Sequence, residues 1–110
     1  MRQREIWQVN LNPTKGSEQA GFRPVVIISG NLLNQYLNVL IVCPLTSKIK
    51  NYKGNVVLEP TVYNGLKKSS EILNFHVRSI SKTRLVKKIG SITTEQLDLT
   101  KKGLDEILTF

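Results

Sequence analysis

Two uninterrupted apolar runs, Val25-Val26-Ile27-Ile28 and Val39-Leu40-Ile41-Val42-Cys43, constrain this chain most. Neighbouring side chains on a strand point to opposite faces, so a β-branched run without alternation suits a central strand buried on both sides. With 110 residues and 12.4 kDa the chain is expected to form one domain over residues 1–110, able to bury a core without metal or disulfide support.

The remaining segments are read around those two strands. Glu5 to Leu11 alternates, with Trp7, Val9 and Leu11 on one side, which predicts a half-buried first strand closed by Asn12-Pro13. Lys15 to Gly21 is small, polar and bounded by glycines, and reads as a loop of about seven residues. A polar segment, Asn31 to Asn38, separates the two core runs. Asn55 to Glu59, then Ser70 to Ile80 through Ile72, Val77 and Ile80, then Lys87 to Ile92 supply three further strands. Only after Ile92 does the period change. Thr93-Thr94-Glu95-Gln96 is a capping-box signature, and Leu97, Leu104, Ile107 and Leu108 share one face of the helix that follows, with Gly103 weakening its interior. The expected class is α+β, mostly β: a small, strongly bent antiparallel sheet or partly open barrel with a C-terminal helix.

Composition narrows the function. Apolar residues make up 40% and charged residues 22%, a globular balance that argues against a disordered tail. The apolar runs are far shorter than the ~20 residues of a membrane-spanning helix, and the N-terminus leads into a strand pattern instead of a signal sequence, so a cytoplasmic protein is expected. One cysteine cannot pair internally. One histidine and no acidic cluster leave neither a zinc ligand set nor a two-metal site, so no metal or cofactor is expected. The net charge of +8 is uneven: residues 1–92 carry 14 Lys/Arg against four Glu, while the last 18 carry two Lys against four acidic residues. A basic body of this kind points to a polyanionic partner, nucleic acid ahead of membrane.

Three segments then stand in a distinctive order: Pro13-Thr14-Lys15-Gly16-Ser17-Glu18-Gln19, Arg23-Pro24-Val25-Val26-Ile27-Ile28-Ser29 and Cys43-Pro44-Leu45-Thr46-Ser47-Lys48. With Asn55-Val56, Gly65 to Ser70, Val77 to Leu85 and Ile89-Gly90 they cover nearly the whole chain, and the sequence resembles the MazF/PemK family of ribosome-independent endoribonuclease toxins. The resemblance implies an SH3-like barrel that forms a homodimer, cleaves single-stranded RNA at short motifs without metal, and is neutralised by an antitoxin. An acidic antitoxin segment is expected to compete with RNA for the groove lined by Arg23 and the Lys48 to Lys53 loop. Two other readings share parts of the pattern, a catalytically silent RNA-binding barrel and a gyrase-poisoning toxin of the CcdB type. The Gly-Phe-Arg-Pro and Pro-Leu-Thr-Ser segments favour the nuclease.

Metal-free RNA cleavage needs a group to draw the proton from the 2′-OH, one to protonate the 5′-oxygen, and a cation or donor array for the phosphorane. The resemblance assigns catalysis to Arg23, as proton donor and phosphate clamp, and to Thr46, hydrogen-bonded to the scissile phosphate. A guanidinium stays charged at neutral pH, so electrostatic stabilisation is its physically safer role, and without the motif Arg23 would read as a solvated residue opening a strand. Ser17, Glu18 and Gln19 match a family loop bordering the RNA groove. Ser47 follows Thr46 in the same segment. Lys48, Lys50, Tyr52 and Lys53 interleave cations with a ring, suited to phosphate contact and base stacking or to a solvated charge run. Asn74-Phe75-His76-Val77-Arg78 departs from the family, which usually has Glu and Gln where Phe75 and His76 stand; Arg78 and Ser79 keep the usual pair, and Ser81 replaces a common Asp. His76 supplies a titratable donor near the groove or a structural hydrogen bond within its strand. Arg4 replaces a Gly that often opens the family's first strand, and Cys43 reads as a buried core thiol.

Overall fold

The computed structural model describes residues 1–11 and 21–110. These residues form seven strands, β1 (Glu5–Asn10), β2 (Phe22–Ile27), β3 (Val39–Thr46), β4 (Val57–Leu58), β5 (Ser70–Ile72), β6 (Arg78–Ser81) and β7 (Leu85–Ser91), with helices α1 (Asn31–Tyr36) and α2 (Thr94–Thr109). Single 3-10 turns occupy Asn74–His76 and Lys82–Arg84. The sheet order is β4-β5-β3-β2-β1-β7, all neighbours antiparallel, with β6 also on β3.

The β-branched runs behave as their pattern requires. Val25 and Ile27 join Val9, Leu11, Leu40, Val42 and Ile80 in one buried cluster, while Val26 joins Ile6, Cys43, Leu45, Leu58, Ile72, Ile92 and Leu97 in another on the opposite face. Both faces of the central strands are therefore covered, which also buries Ile6 on the side of β1 away from Val9. Burial pushes the Cys43 thiol up to about 12, so it is an inert core group, as expected.

The sheet curls because β3 carries two partners along one edge. Val39 to Val42 pair with β6, and Leu45 and Thr46 pair with β5. Pro44 lies at the changeover; it has no N–H to donate, and its carbonyl accepts from the Leu73 N–H at 2.9 Å. On the far side the turn after β4 closes onto β7. Ser91 N–H donates to Tyr63 O at 3.1 Å, and a Cβ on Gly65 would lie 2.2 Å from Ile89 O. The result is a half-barrel whose gap is bridged by backbone packed on backbone.

Several boundaries differ from the sequence reading. The polar segment 31–38 contains α1, a six-residue helix whose cap Gly30 has no side chain to bond, so no local signal announced it. The single strand expected over 70–80 is two strands, β5 and β6, split by the 3-10 turn at Asn74–His76, because each pairs with a different half of β3. β4 is only two residues long, and β7 begins two residues before Lys87. The capping box is present, with Thr93 Oγ1 accepting from Gln96 N–H at 3.1 Å and Gln96 Oε1 from Thr93 N–H at 2.8 Å. Of the four apolar residues expected on one face of α2, Leu97 is buried and Leu104 partly so, while Ile107 and Leu108 are exposed; Thr100 and Gly103 are the other buried residues of the helix. Gly103 is an interface residue: a Cβ there would lie 2.2 Å from Gly54 O and 2.4 Å from Asn74 Nδ2.

Candidate functional site

β2 and β3 run antiparallel, so the start of one lies beside the end of the other. The β2–β3 pairing ends at Val25↔Pro44, and just beyond it stand Arg23, paired with Val9 of β1, and Thr46, paired with Glu71 of β5, at the same end of the sheet; Arg23 lines the cleft described next and Thr46 does not. Pro24 and Pro44 cannot donate backbone hydrogen bonds at this end. Both site residues are half-buried. The Arg23 guanidinium makes no hydrogen bond or ion pair with any described residue, which leaves its donors for a ligand. Thr46 Oγ1 accepts from the Lys48 N–H at 3.1 Å, which leaves the hydroxyl proton to donate elsewhere.

Arg23 borders an open cleft of about 540 Å³, which runs between the strand ends, the 65–68 turn and β7. Ser47 lines it, as do Gln8, Ser70 and four lysines that come from two segments distant in sequence, Lys67, Lys68, Lys87 and Lys88. Among the described residues no acidic side chain lines it. Lys88 reaches Glu5 Oε2 at 3.1 Å, and among the described residues the other three lysines have no ion-pair partner. Glu5 is partly buried, which by itself raises its pKa, but the Trp7 indole N–H, the Arg2 N–H and Lys88 outweigh that and hold it down to about 2. The carboxylate therefore stays charged and steadies Lys88 at the cleft wall.

Lys48, Lys50, Tyr52 and Lys53 do not line this cleft; they form an exposed loop between β3 and β4. Its organiser is Glu71 on β5, fully buried and paired across the strands with Thr46. Its Oε1 accepts from the N–H groups of Lys50 (2.8 Å) and Asn51 (2.9 Å), and its Oε2 from Tyr52 N–H and Asn55 Nδ2 (both 2.9 Å). Burial raises the pKa of this carboxyl, but the Asn55 amide and the three backbone donors more than offset that and lower it. In sequence Glu71 is one of the four Glu of residues 1–92 and no motif marks it as an organiser. Its one local signal is an acidic residue directly before the apolar Ile72-Leu73 in a short strand.

Asn55 continues the network, its Oδ1 accepting from Asn74 N–H at 3.3 Å. Asn74 opens the 3-10 turn bearing Phe75 and His76, so His76 is not in a strand. The Phe75 ring meets Tyr52 edge-on at 5.2 Å and 88°, and His76 at 4.8 Å and 47°. Arg78 opens β6 opposite Val42, apart from the cleft. Ser17, Glu18 and Gln19 lie outside the described residues. Among the described residues no three His, Cys, Asp or Glu side chains gather as a metal site, and no helix is long and apolar enough to cross a membrane.

Comparison with known proteins agrees with this architecture over its whole length. Residues 2–108 match the family profile described as PemK-like, MazF-like toxin of type II toxin-antitoxin system. The chain is 34% identical over 107 residues to Endoribonuclease MazF of Staphylococcus saprophyticus, covering 96% of this chain and 88% of that one. It is 35% identical over 104 residues to Endoribonuclease toxin MazF of Escherichia coli, covering 94% and 88%. The crystal structure of MazF from Deinococcus radiodurans superposes with a TM-score of 0.82 at 26% identity, covering 99% of this chain and 96% of that one. A chain whose sequence matches that profile nearly end to end, and whose half-barrel superposes on a solved MazF, belongs to the PemK-like, MazF-like toxins of type II toxin-antitoxin systems.

Proposed function

We propose that this chain is a single-domain toxin acting as a homodimer in the cytoplasm, a metal-independent endoribonuclease that cuts single-stranded RNA at short motifs. The observation that carries the reading is Arg23 on the wall of a cleft whose charged side chains, among the described residues, are all cationic, with Thr46 at the same end of the neighbouring strand. Phosphates of a bound strand follow the cleft lysines, and the scissile phosphate lies between the guanidinium and the Thr46 hydroxyl. As the 2′-OH attacks, its proton leaves, the O2′–P bond forms and the P–O5′ bond breaks. Arg23 and Thr46 donate hydrogen bonds to the non-bridging oxygens as their charge grows, and O5′ takes up a proton. The products are a 2′,3′-cyclic or 3′-phosphate and a 5′-hydroxyl.

The relatives from Staphylococcus saprophyticus and Escherichia coli are named endoribonucleases, and that supports the assignment. A solved mycobacterial endoribonuclease in complex with its cognate antitoxin has the same fold, with a TM-score of 0.81 at 17% identity, which supports a cognate antitoxin here. An acidic segment of that partner suits the same positive surface as RNA.

Incubating the purified protein with a long RNA in excess EDTA and sequencing the new ends tests the reaction. Cleavage at a short recurring motif, lost in Arg23→Ala and in Thr46→Ala and blocked by a 2′-deoxy at the cut position, is the expected result. Cleavage stopped by EDTA, or either variant cutting at the wild-type rate, overturns the assignment.

A further inference from the structure

We propose that Glu71 is a positioning residue that holds Tyr52 and Phe75 together as an exposed aromatic step on which a base of the RNA strand stacks. The inference rests on the RNA-cleaving function proposed above and adds a base-binding site beside the cationic cleft.

Three observations meet here. Tyr52 and Phe75 are each 48% exposed, an unusual arrangement for two rings already in contact, since solvent-facing aromatic surface is costly unless something covers it. Both rings hang from one buried hydrogen-bond network. Glu71 accepts directly from the Tyr52 N–H, and through Asn55 it reaches Asn74, the residue before Phe75. Three cations, Lys48, Lys50 and Lys53, share the loop with Tyr52, so a base on the rings brings its phosphates to positive charge. An edge-to-face pair presents the flat face of one ring beside the edge of the other, and a planar base suits that corner. A nucleobase with its phosphate is thus the chemistry the site fits, in preference to an acidic peptide, which would use the lysines and leave the rings uncovered.

Glu71 is suited to hold this arrangement because all four of its contacts are donors. In Glu71→Gln one oxygen becomes an NH2 group facing two N–H donors, whichever way the amide turns, so the loop must shift while shape and volume stay the same.

The test uses the whole purified protein and two probes: a single-stranded 2′-deoxy oligonucleotide containing 2-aminopurine, whose fluorescence is quenched by stacking, and a cleavable RNA for steady-state kinetics. Wild type is expected to quench the probe. Tyr52→Ala, Phe75→Ala and Glu71→Gln should each lose the quenching, bind on the order of tenfold more weakly and raise KM with kcat nearly unchanged. Tyr52→Phe should keep both properties. Adding Glu71→Gln to Tyr52→Ala should change KM little further, since both act on one contact.

Full quenching in Tyr52→Ala or Phe75→Ala, or a loss of kcat equal to the loss in kcat/KM, overturns the base-binding step. Independent, additive effects of Glu71→Gln and Tyr52→Ala overturn the positioning role. If Glu71→Gln fails to fold, Asn55→Ala, which breaks the link between Glu71 and Asn74, takes its place with the same expected outcomes. RNA left uncut by the wild type counts against the nuclease assignment, whereas the quenching experiment, which needs no cleavage, still decides the stacking site.

Discussion

Thr46 and Glu71 face each other across the β3–β5 pair, and between them they hold the backbone of the loop that follows β3: the hydroxyl accepts from Lys48, the carboxylate from Lys50, Asn51 and Tyr52. Thr46 thus has a structural bond and a proposed catalytic one, which separates its conservative variants. Thr46→Ser keeps both bonds and should retain most activity. Thr46→Val keeps the shape but loses acceptor and donor, and should cut roughly 10²–10³-fold more slowly, the range for removing one donor from a developing oxyanion. Single-turnover cleavage of a short RNA checks this, and equal rates for the two variants would remove Thr46 from the chemistry.

Gly103 illustrates how local and tertiary preference conflict. Alanine is the better helix former by about 1 kcal/mol in an exposed helix interior. Here the new Cβ would stand 2.2 Å from Gly54 O, a backbone atom, and 2.4 Å from Asn74 Nδ2. Gly103→Ala should therefore destabilise by about 2–4 kcal/mol despite its propensity. Urea denaturation followed by circular dichroism measures it, and a variant as stable as wild type would show that the approach of α2 to the 54–55 turn relaxes freely.

Glu5 makes stability depend on acid. Its carboxyl titrates at an ordinary 4.5 when unfolded and about 2 when folded, so its contribution is complete above about pH 4.5 and is lost as pH falls toward 2. The linkage is up to about 3 kcal/mol, at ~1.4 kcal/mol per pH unit. Glu71, also lowered, acts in the same direction, so the informative quantity is the difference from Glu5→Gln. That variant should lose stability at pH 7 and approach wild type near pH 2. Trp7, the chain's one tryptophan and a hydrogen-bond donor to Glu5, reports the transition by fluorescence. Parallel stability curves for the two proteins would refute the linkage.

The cleft lysines should appear in the salt dependence of RNA binding. Each phosphate neutralised on a single strand contributes about −0.7 to the slope of log K against log salt. Lys67→Ala and Lys87→Ala should each reduce the slope by about that amount without changing the cleavage motif, because phosphate contacts position a strand and do not read its bases. Titrating an acidic antitoxin segment on the same variants should weaken its binding as well. RNA and antitoxin bound together at full affinity would place the antitoxin elsewhere.

What the sequence determined by itself was local. The runs at Val25 and Val39 required strands covered on both faces, and the Thr93/Gln96 box started α2, because each property is set by residues within a few positions of one another. Family motifs singled out Arg23 and Thr46, though their spacing of 23 residues says nothing of distance; only the antiparallel β2–β3 pairing brings them to the same end of the sheet. The resemblance also marked position 4 as a usual glycine, and the structure supplies the reason. Arg4 has φ of 81°, the left-handed region, held there by its Nη1 donating to Tyr63 Oη at 3.0 Å and Ile92 O at 3.2 Å. Tertiary structure alone decided the split of 70–80 into two strands, the cleft that gathers Lys67, Lys68, Lys87 and Lys88, and the burial of Glu71. Each depends on groups twenty or more residues apart meeting, such as Glu71 with the Lys50 N–H or Gly65 with Ile89, and no pattern read along the chain records which distant donor will face which acceptor.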